Sequence, residues 1–265
     1  MQKILFISSI VLTAVFLFLG YQAWQDKLAD ALKIQPGVVA SEDEEAEPAS
    51  EEVTEQTAED TASFPYANLP ENAQSIIDEH AVSGEPVQVV FAATESAVIG
   101  EPNWTTLLES ALSENYAGVT FNVETFSYNE TSEYWADNLA AEERFSGADL
   151  ILFEAPTIYD NGLWSQEDQL FFLEQMLSTF SSEFSNAVVF MQPSHPIANA
   201  SIYTEQVSAV KEVIEASSVT YLDHWGQWPA GEELNALMTE DNDPTEEGRV
   251  LWGEELVDIF VSSDQ

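Results

Sequence analysis

The sequence predicts an α/β domain built on a five-stranded, doubly wound, flavodoxin-like parallel sheet, carried behind an N-terminal transmembrane helix. Three observations predict it. Five short, nearly uninterrupted apolar runs recur between residues 87 and 222, as expected of strands covered on both faces. Amphipathic stretches of helical period lie between them, and strands alternating with helices at this spacing form a parallel sheet. A separate uncharged apolar run precedes all of these, set off by an acidic stretch.

In chain order, residues 1–3 form a cytoplasmic end and residues 4–24 a signal-anchor. Ile4 to Gly20 contains no charge, Lys3 precedes it, and Tyr21 and Trp24 follow as interfacial aromatics. At 1.5 Å of rise per residue this segment just spans a bilayer. The rival reading is a cleaved signal peptide, but Tyr21-Gln22-Ala23 is a poor cleavage site. Residues 25–64 form a linker, in which residues 41–60 hold ten acids and no base. Like charges repel and too little apolar surface is available to offset the entropy of ordering, so this part reads as an extended stalk. The bulk of the chain is thus expected outside a single-pass cell-membrane anchor.

Residues 65–265 form the globular domain. Its expected strands are Val87 to Ala93, Val119 to Thr125, Leu150 to Phe153, Ala187 to Phe190 and Val219 to Leu222, all read as buried. The clearest helices are Ser165 to Phe180, opened by a Ser165/Asp168 capping box, and Ile202 to Ala216, with Val207, Val210 and Ile214 on one face. A last helix carries Leu251, Trp252, Leu256, Ile259 and Phe260, with Asp243 as its N-cap and Pro244 at its first position.

The charge balance excludes some functions. The chain has 48 acidic and 6 basic residues, for a net charge of −42, and beyond residue 33 only Arg144, Lys211 and Arg249 are basic. A nucleic-acid binder needs cations to displace phosphate counterions, so no nucleic acid is expected as partner. The acid excess over the whole exterior reads as a surface adapted to a saline or alkaline habitat. No cysteine is present, which removes thiolate chemistry and disulfides. No cofactor is expected. The Asp241-Asn242-Asp243 run lacks the turn glycine of an EF-hand loop.

Ligands of open parallel sheets bind at the carboxyl ends of the strands. There the chain places Thr94-Glu95-Ser96 after the first strand, Glu154 and then Tyr159-Asp160-Asn161-Gly162 after the third, Ser194-His195-Pro196 after the fourth, Asp223-His224-Trp225 with Trp228-Pro229 after the fifth, and Asp243-Pro244 before the last helix. In order and context the segments after the first, third and fifth strands and Asp243-Pro244, with Trp104, Leu107-Leu108, Gly248 and Trp252, resemble the SGNH/GDSL hydrolases over residues 86–262. The likeness is to membrane-anchored SGNH-like proteins of Gram-positive bacteria.

The resemblance implies an SGNH-type fold and an esterase or deacetylase acting on acylated cell-envelope polysaccharide or a small ester. On that reading Ser96 attacks, Asn161 and backbone N–H groups hold the oxyanion, and His195 or His224 has to replace a base that the family's late motif no longer supplies. The resemblance also marks three departures. Glu95 occupies the strict nucleophile position, with Ser96 one place later. Tyr159-Asp160 stands where an Asn-Asp pair is expected. Glu240 and Asp243 replace the late Asp and His, and a carboxylate with an ordinary pKa near 4 is a weaker base than imidazole. The candidate site residues are therefore Ser96, Glu95, Asn161, Asp160, His195 and Asp243. The alternative is a catalytically inactive domain that binds an envelope glycan or protein.

Overall fold

The computed structural model describes residues 65–261. The expected anchor, the acidic linker and the last four residues lie outside the described residues. No helix among those described is long and apolar enough to cross a membrane.

Helix α1 (Glu71–Ser83) leads into β1 (Val87–Thr94) and α2 (Trp104–Asn115). Then follow β2 (Phe121–Tyr128), α3 (Ser132–Asn138), β3 (Leu150–Glu154), the one-turn α4 (Thr157–Asp160) and α5 (Gln166–Glu183). The chain finishes with β4 (Val188–Gln192), α6 (Ser201–Glu215), β5 (Thr220–Tyr221), the one-turn α7 (Glu232–Asn235) and α8 (Glu246–Phe260). The sheet is parallel throughout, in the order β2-β1-β3-β4-β5. This is the doubly wound arrangement expected from the alternation of strand and helix.

Side chains alternate across each strand, and helices cover both faces. Val87, Val89, Phe91 and Ala93 of β1 point into one core with Trp104, Leu108, Trp252 and Leu256 of α2 and α8. Val90 and Ala92 point into the other, with Trp135, Leu173, Phe180 and Val210 of α3, α5 and α6. Because both faces are buried, β1, β3 and β4 read as unbroken apolar runs.

The second strand departs from its expectation. It begins at Phe121, runs on to Tyr128, and buries only that last residue. It is an edge strand, and solvent-facing residues such as Glu124 on such an edge oppose pairing with another chain. Helix α5 starts as expected, with Ser165 Oγ accepting the Asp168 N–H at 3.2 Å. The last helix does not. Thr245, not Asp243, is its N-cap and accepts from the Gly248 N–H at 3.3 Å. Thr239 and Asp243 bond each other through Thr239 N–H to Asp243 O at 2.8 Å and Asp243 N–H to Thr239 Oγ1 at 3.1 Å. That turn, with the Met238–Pro244 bridge, keeps Asp243 and Pro244 out of the helix.

Candidate active site at the carboxyl edge of the sheet

Thr94 is the last residue of β1, and the chain turns there into a short 3-10 helix, Glu95–Val98. Glu154 is the last residue of β3, next to β1 in the sheet. Both side chains are fully buried and bonded to each other. Thr94 Oγ1 donates to Glu154 Oε1 at 2.6 Å, and the Thr94 N–H donates to Oε2 at 3.0 Å. The Ser96 hydroxyl lies 3.0 Å from Thr94 Oγ1. Ser96 is buried, retaining 9% of its surface, and is the outer end of a three-member chain. Burial pushes the Glu154 carboxyl up to about 7, against the opposing pull of the Thr94 hydrogen bonds.

The Tyr159 phenol lies beside the Glu95–Ser96 backbone and is pushed above the ordinary tyrosine range, chiefly by burial. Glu95 itself is exposed, its carboxylate 3.4 Å from the Asn129 amide nitrogen.

Asp160 is fully buried and faces inward to Ser132 and Gln169. It accepts from the Ser132 N–H at 2.9 Å, from the Ser132 hydroxyl, and from Gln169 Nε2 at 3.1 Å. Burial raises its pKa while these hydrogen bonds pull it down. Its contacts tie α4 to the start of α3 and to α5. Asn161, the next residue, is exposed.

His195, at the end of β4, is buried. Its Nε2 is bonded to the Asn242 carbonyl at 2.9 Å, and its Nδ1 has no hydrogen-bond partner. Burial lowers its pKa to about 4, so the ring is neutral. The contact brings the end of β4 against the loop that holds Asp243. Asp243 is half-buried, its carboxyl raised by that burial and by Asp241. His224 is fully buried and saturated: its Nε2 meets the Pro193 carbonyl at 2.9 Å, and its Nδ1 accepts from the Trp228 indole at 3.1 Å. Among the described residues neither imidazole hydrogen-bonds a hydroxyl.

Arg249 joins two loops of this rim, donating from Nε to the Pro102 carbonyl at 3.1 Å and from Nη1 to the Pro244 carbonyl at 3.0 Å. Trp225 and Trp228 line a 310 Å³ cleft with Pro196, Ile197 and Pro229. The cleft is mostly apolar and suits an uncharged ligand. No group of three or more His, Asp or Glu side chains among the described residues is placed to hold a metal ion.

Of the sequence-derived candidates, the structure places Ser96 in a polar chain at the end of β1, while Asn161 and Glu95 face solvent. The partners of Ser96 were not among those candidates. Their one signal in the sequence is Glu154 closing the otherwise apolar run Leu150-Ile151-Leu152-Phe153, where an acid has no reason to be unless something receives it.

No protein-family model matches the chain, and no curated protein matches it. Solved structures do. An esterase from Pseudoalteromonas sp. superposes with a TM-score of 0.50 at 15% identity, over 65% of this chain and 95% of that one. The protein TesA does so with a TM-score of 0.52 at 15% identity, over 65% and 97%. A variant of an acetylxylan esterase from Geobacillus stearothermophilus gives 0.50 at 11% identity, over 67% and 97%. The domain has the SGNH-hydrolase fold, as the resemblance of the strand-end segments implied.

Proposed function

We propose that this protein is an extracytoplasmic ester hydrolase of the SGNH type, acting on an acylated cell-envelope glycan or a small ester, with Ser96 as nucleophile. The observation that carries the reading is the position of Ser96. It is a hydroxyl on the turn after β1, in a residue that keeps 9% of its surface, at the head of a chain ending in a carboxylate. Ser96 attacks the acyl carbon, backbone N–H groups of the Glu95–Ser96 turn take the oxyanion, and water releases the acyl group. The Trp225/Trp228 cleft gives an uncharged acyl or sugar unit an apolar seat on the same rim. Two solved structures of the same fold are named an esterase and an acetylxylan esterase, which supports ester chemistry. The uncharged run Ile4 to Gly20 supports a membrane-tethered, extracytoplasmic location.

The inactive, ligand-binding reading draws on one observation: both imidazoles are engaged with backbone carbonyls and neither serves Ser96. Turnover decides between the two. The full-length chain and its Ser96→Ala variant are assayed on p-nitrophenyl acetate and on acetylated xylan. Release of acetate that Ser96→Ala abolishes supports the hydrolase. Glycan binding without any Ser96-dependent turnover supports the alternative.

A further inference from the structure

Glu154 is a fully buried carboxylate, and among the described residues no Lys, Arg or His forms an ion pair with it. Burying an ionised acid without a counter-ion costs several kcal/mol, so a purely structural position would be better served by an apolar or amide side chain. Both of its oxygens accept from Thr94, at 2.6 and 3.0 Å. The direction of the chain follows from the inventory of protons. An ionised carboxylate only accepts, so the single Thr94 hydroxyl proton points to Glu154, and the lone pairs of Thr94 Oγ1 face Ser96. Ser96 is then the donor across the 3.0 Å contact. A path for a proton thus runs from Ser96 to a buried acid.

We infer that Glu154, acting through the Thr94 hydroxyl, is the proton acceptor for Ser96 and takes the role left by the absent imidazole; the inference rests on Ser96 being the nucleophile. As the Ser96 Oγ–acyl carbon bond forms, the Ser96 proton passes to Thr94 Oγ1, the Thr94 proton passes to Glu154 Oε1, and the carbonyl electron pair moves onto oxygen. Collapse of the adduct breaks the bond to the leaving alkoxide, which takes a proton from Thr94 while Glu154 returns its own. The products are acyl-Ser96 and a neutral alcohol, with the relay reset. Water then replaces Ser96 as the donor in the second half. An acceptor whose carboxyl sits at about 7 is matched to this work at neutral pH. The titratable groups around it are the phenols of Tyr128 on β2, Tyr159 in α4 and Tyr203 on α6, all raised by burial and neutral over that range. From α2 and the end of β4 it meets only Trp104 and Ser194.

The test uses the full-length chain and two readouts between pH 5 and 9. One is p-nitrophenyl acetate turnover; the other is the rate of Ser96 labelling by a fluorophosphonate, read by mass spectrometry. Both rates are expected to rise with pH, with a midpoint near 7. Thr94→Val and Glu154→Gln are expected to lower both about 100-fold or more and to abolish the midpoint, while Thr94→Ser, which restores the hydroxyl, stays within about threefold of the parent. Because Thr94→Val and Thr94→Ser both keep a strand-compatible side chain, that pair carries the test even if Glu154→Gln does not fold. Labelling of Ser96 at an unchanged rate in Thr94→Val overturns the relay and leaves the nucleophile standing. A parent chain in which Ser96 neither labels nor turns over ester removes the nucleophile, and the relay with it.

Discussion

His224 lies flat against Trp252, with ring centroids 4.5 Å apart and planes within 11° of parallel. The stack sits beneath the ends of β4 and β5, and both rings are fully buried. The Trp252 indole donates to Gln192 Oε1 at 2.9 Å, so the two rings fix the last residue of β4 from one side. An imidazole held this way is a structural hydrogen-bonding group. Its proton position follows from its partners: Nδ1 accepts from Trp228, so Nε2 carries the hydrogen donated to Pro193.

Acid sensitivity follows from that stack. Burial lowers His224 to about 3 and His195 to about 4, against 6.5 for a free imidazole. Below pH 6.5 the unfolded chain takes up protons that the folded chain refuses, so stability falls as pH drops from about 6.5 towards 4. At about 1.4 kcal/mol per pKa unit, His195 alone accounts for a loss on the order of 3 kcal/mol. Urea denaturation at pH 7, 6, 5 and 4 measures it. The loss should shrink in His195→Gln.

Glu154 produces the opposite slope. Its folded pKa, about 7, lies above its ordinary 4.5, so the folded state binds the extra proton. Its contribution is full below pH 4.5 and is lost as pH rises through 7. In Glu154→Gln that decline disappears while the histidine limb remains, a difference that stability curves of the two proteins resolve.

Two helical glycines separate packing from propensity. A Cβ at Gly248 would lie 2.5 Å from the backbone carbonyl oxygen of Leu237, and one at Gly253 would lie 2.4 Å from a Leu107 methyl. Propensity alone favours alanine in a helix by about 1 kcal/mol. Overpacking costs about 1–3 kcal/mol, and a backbone oxygen cannot rotate away as a leucine can. Gly248→Ala should therefore lower the melting temperature clearly, and by more than Gly253→Ala.

Tyr159→Phe removes a hydroxyl that lies beside the Glu95–Ser96 backbone. With that competitor for the turn's N–H groups gone, fluorophosphonate labelling of Ser96 is expected to accelerate about threefold or more. An unchanged or slower rate would show that the phenol is not an obstacle.

Salt should stabilise the domain. Of the three bases beyond residue 33, Arg144 is paired with Glu142 at 2.6 Å and Lys211 with Asp223 at 2.6 Å, while Arg249 is spent on carbonyls. Most carboxylates therefore have no Lys or Arg beside them, and screening at 1 M salt shortens the range of their mutual repulsion to about 3 Å. The melting temperature is expected to rise by several degrees between 0.01 and 1 M sodium chloride. A flat response would remove the saline-habitat reading of the acidic surface.

The fold was legible because its signals are local and repeated. The runs at Val87, Leu150 and Val188 needed no partner to be read as strands, and the Ser165 cap needed only Asp168. The start of α8 was harder to read. Asp243-Pro244-Thr245 offers two caps in three residues, and a pairing between Thr239 and Asp243, outside the helix, selects the second. Within the site, Ser96 was visible from its place after a strand. Thr94 was not, because a threonine ending a strand is ordinary until a carboxylate 60 residues away is known to touch it.

By itself, the sequence determined the layers, the strand alternation and the shortage of cations, since each depends on residue type and spacing along one chain. Tertiary structure decided which polar side chains meet. A turn of one residue sets Glu95 outward and Ser96 inward, and the register of β1 on β3 carries Glu154 to Thr94. Burial then shifted the protons, raising Glu154 and lowering both histidines, because the cost of a charge depends on surroundings assembled from the whole domain.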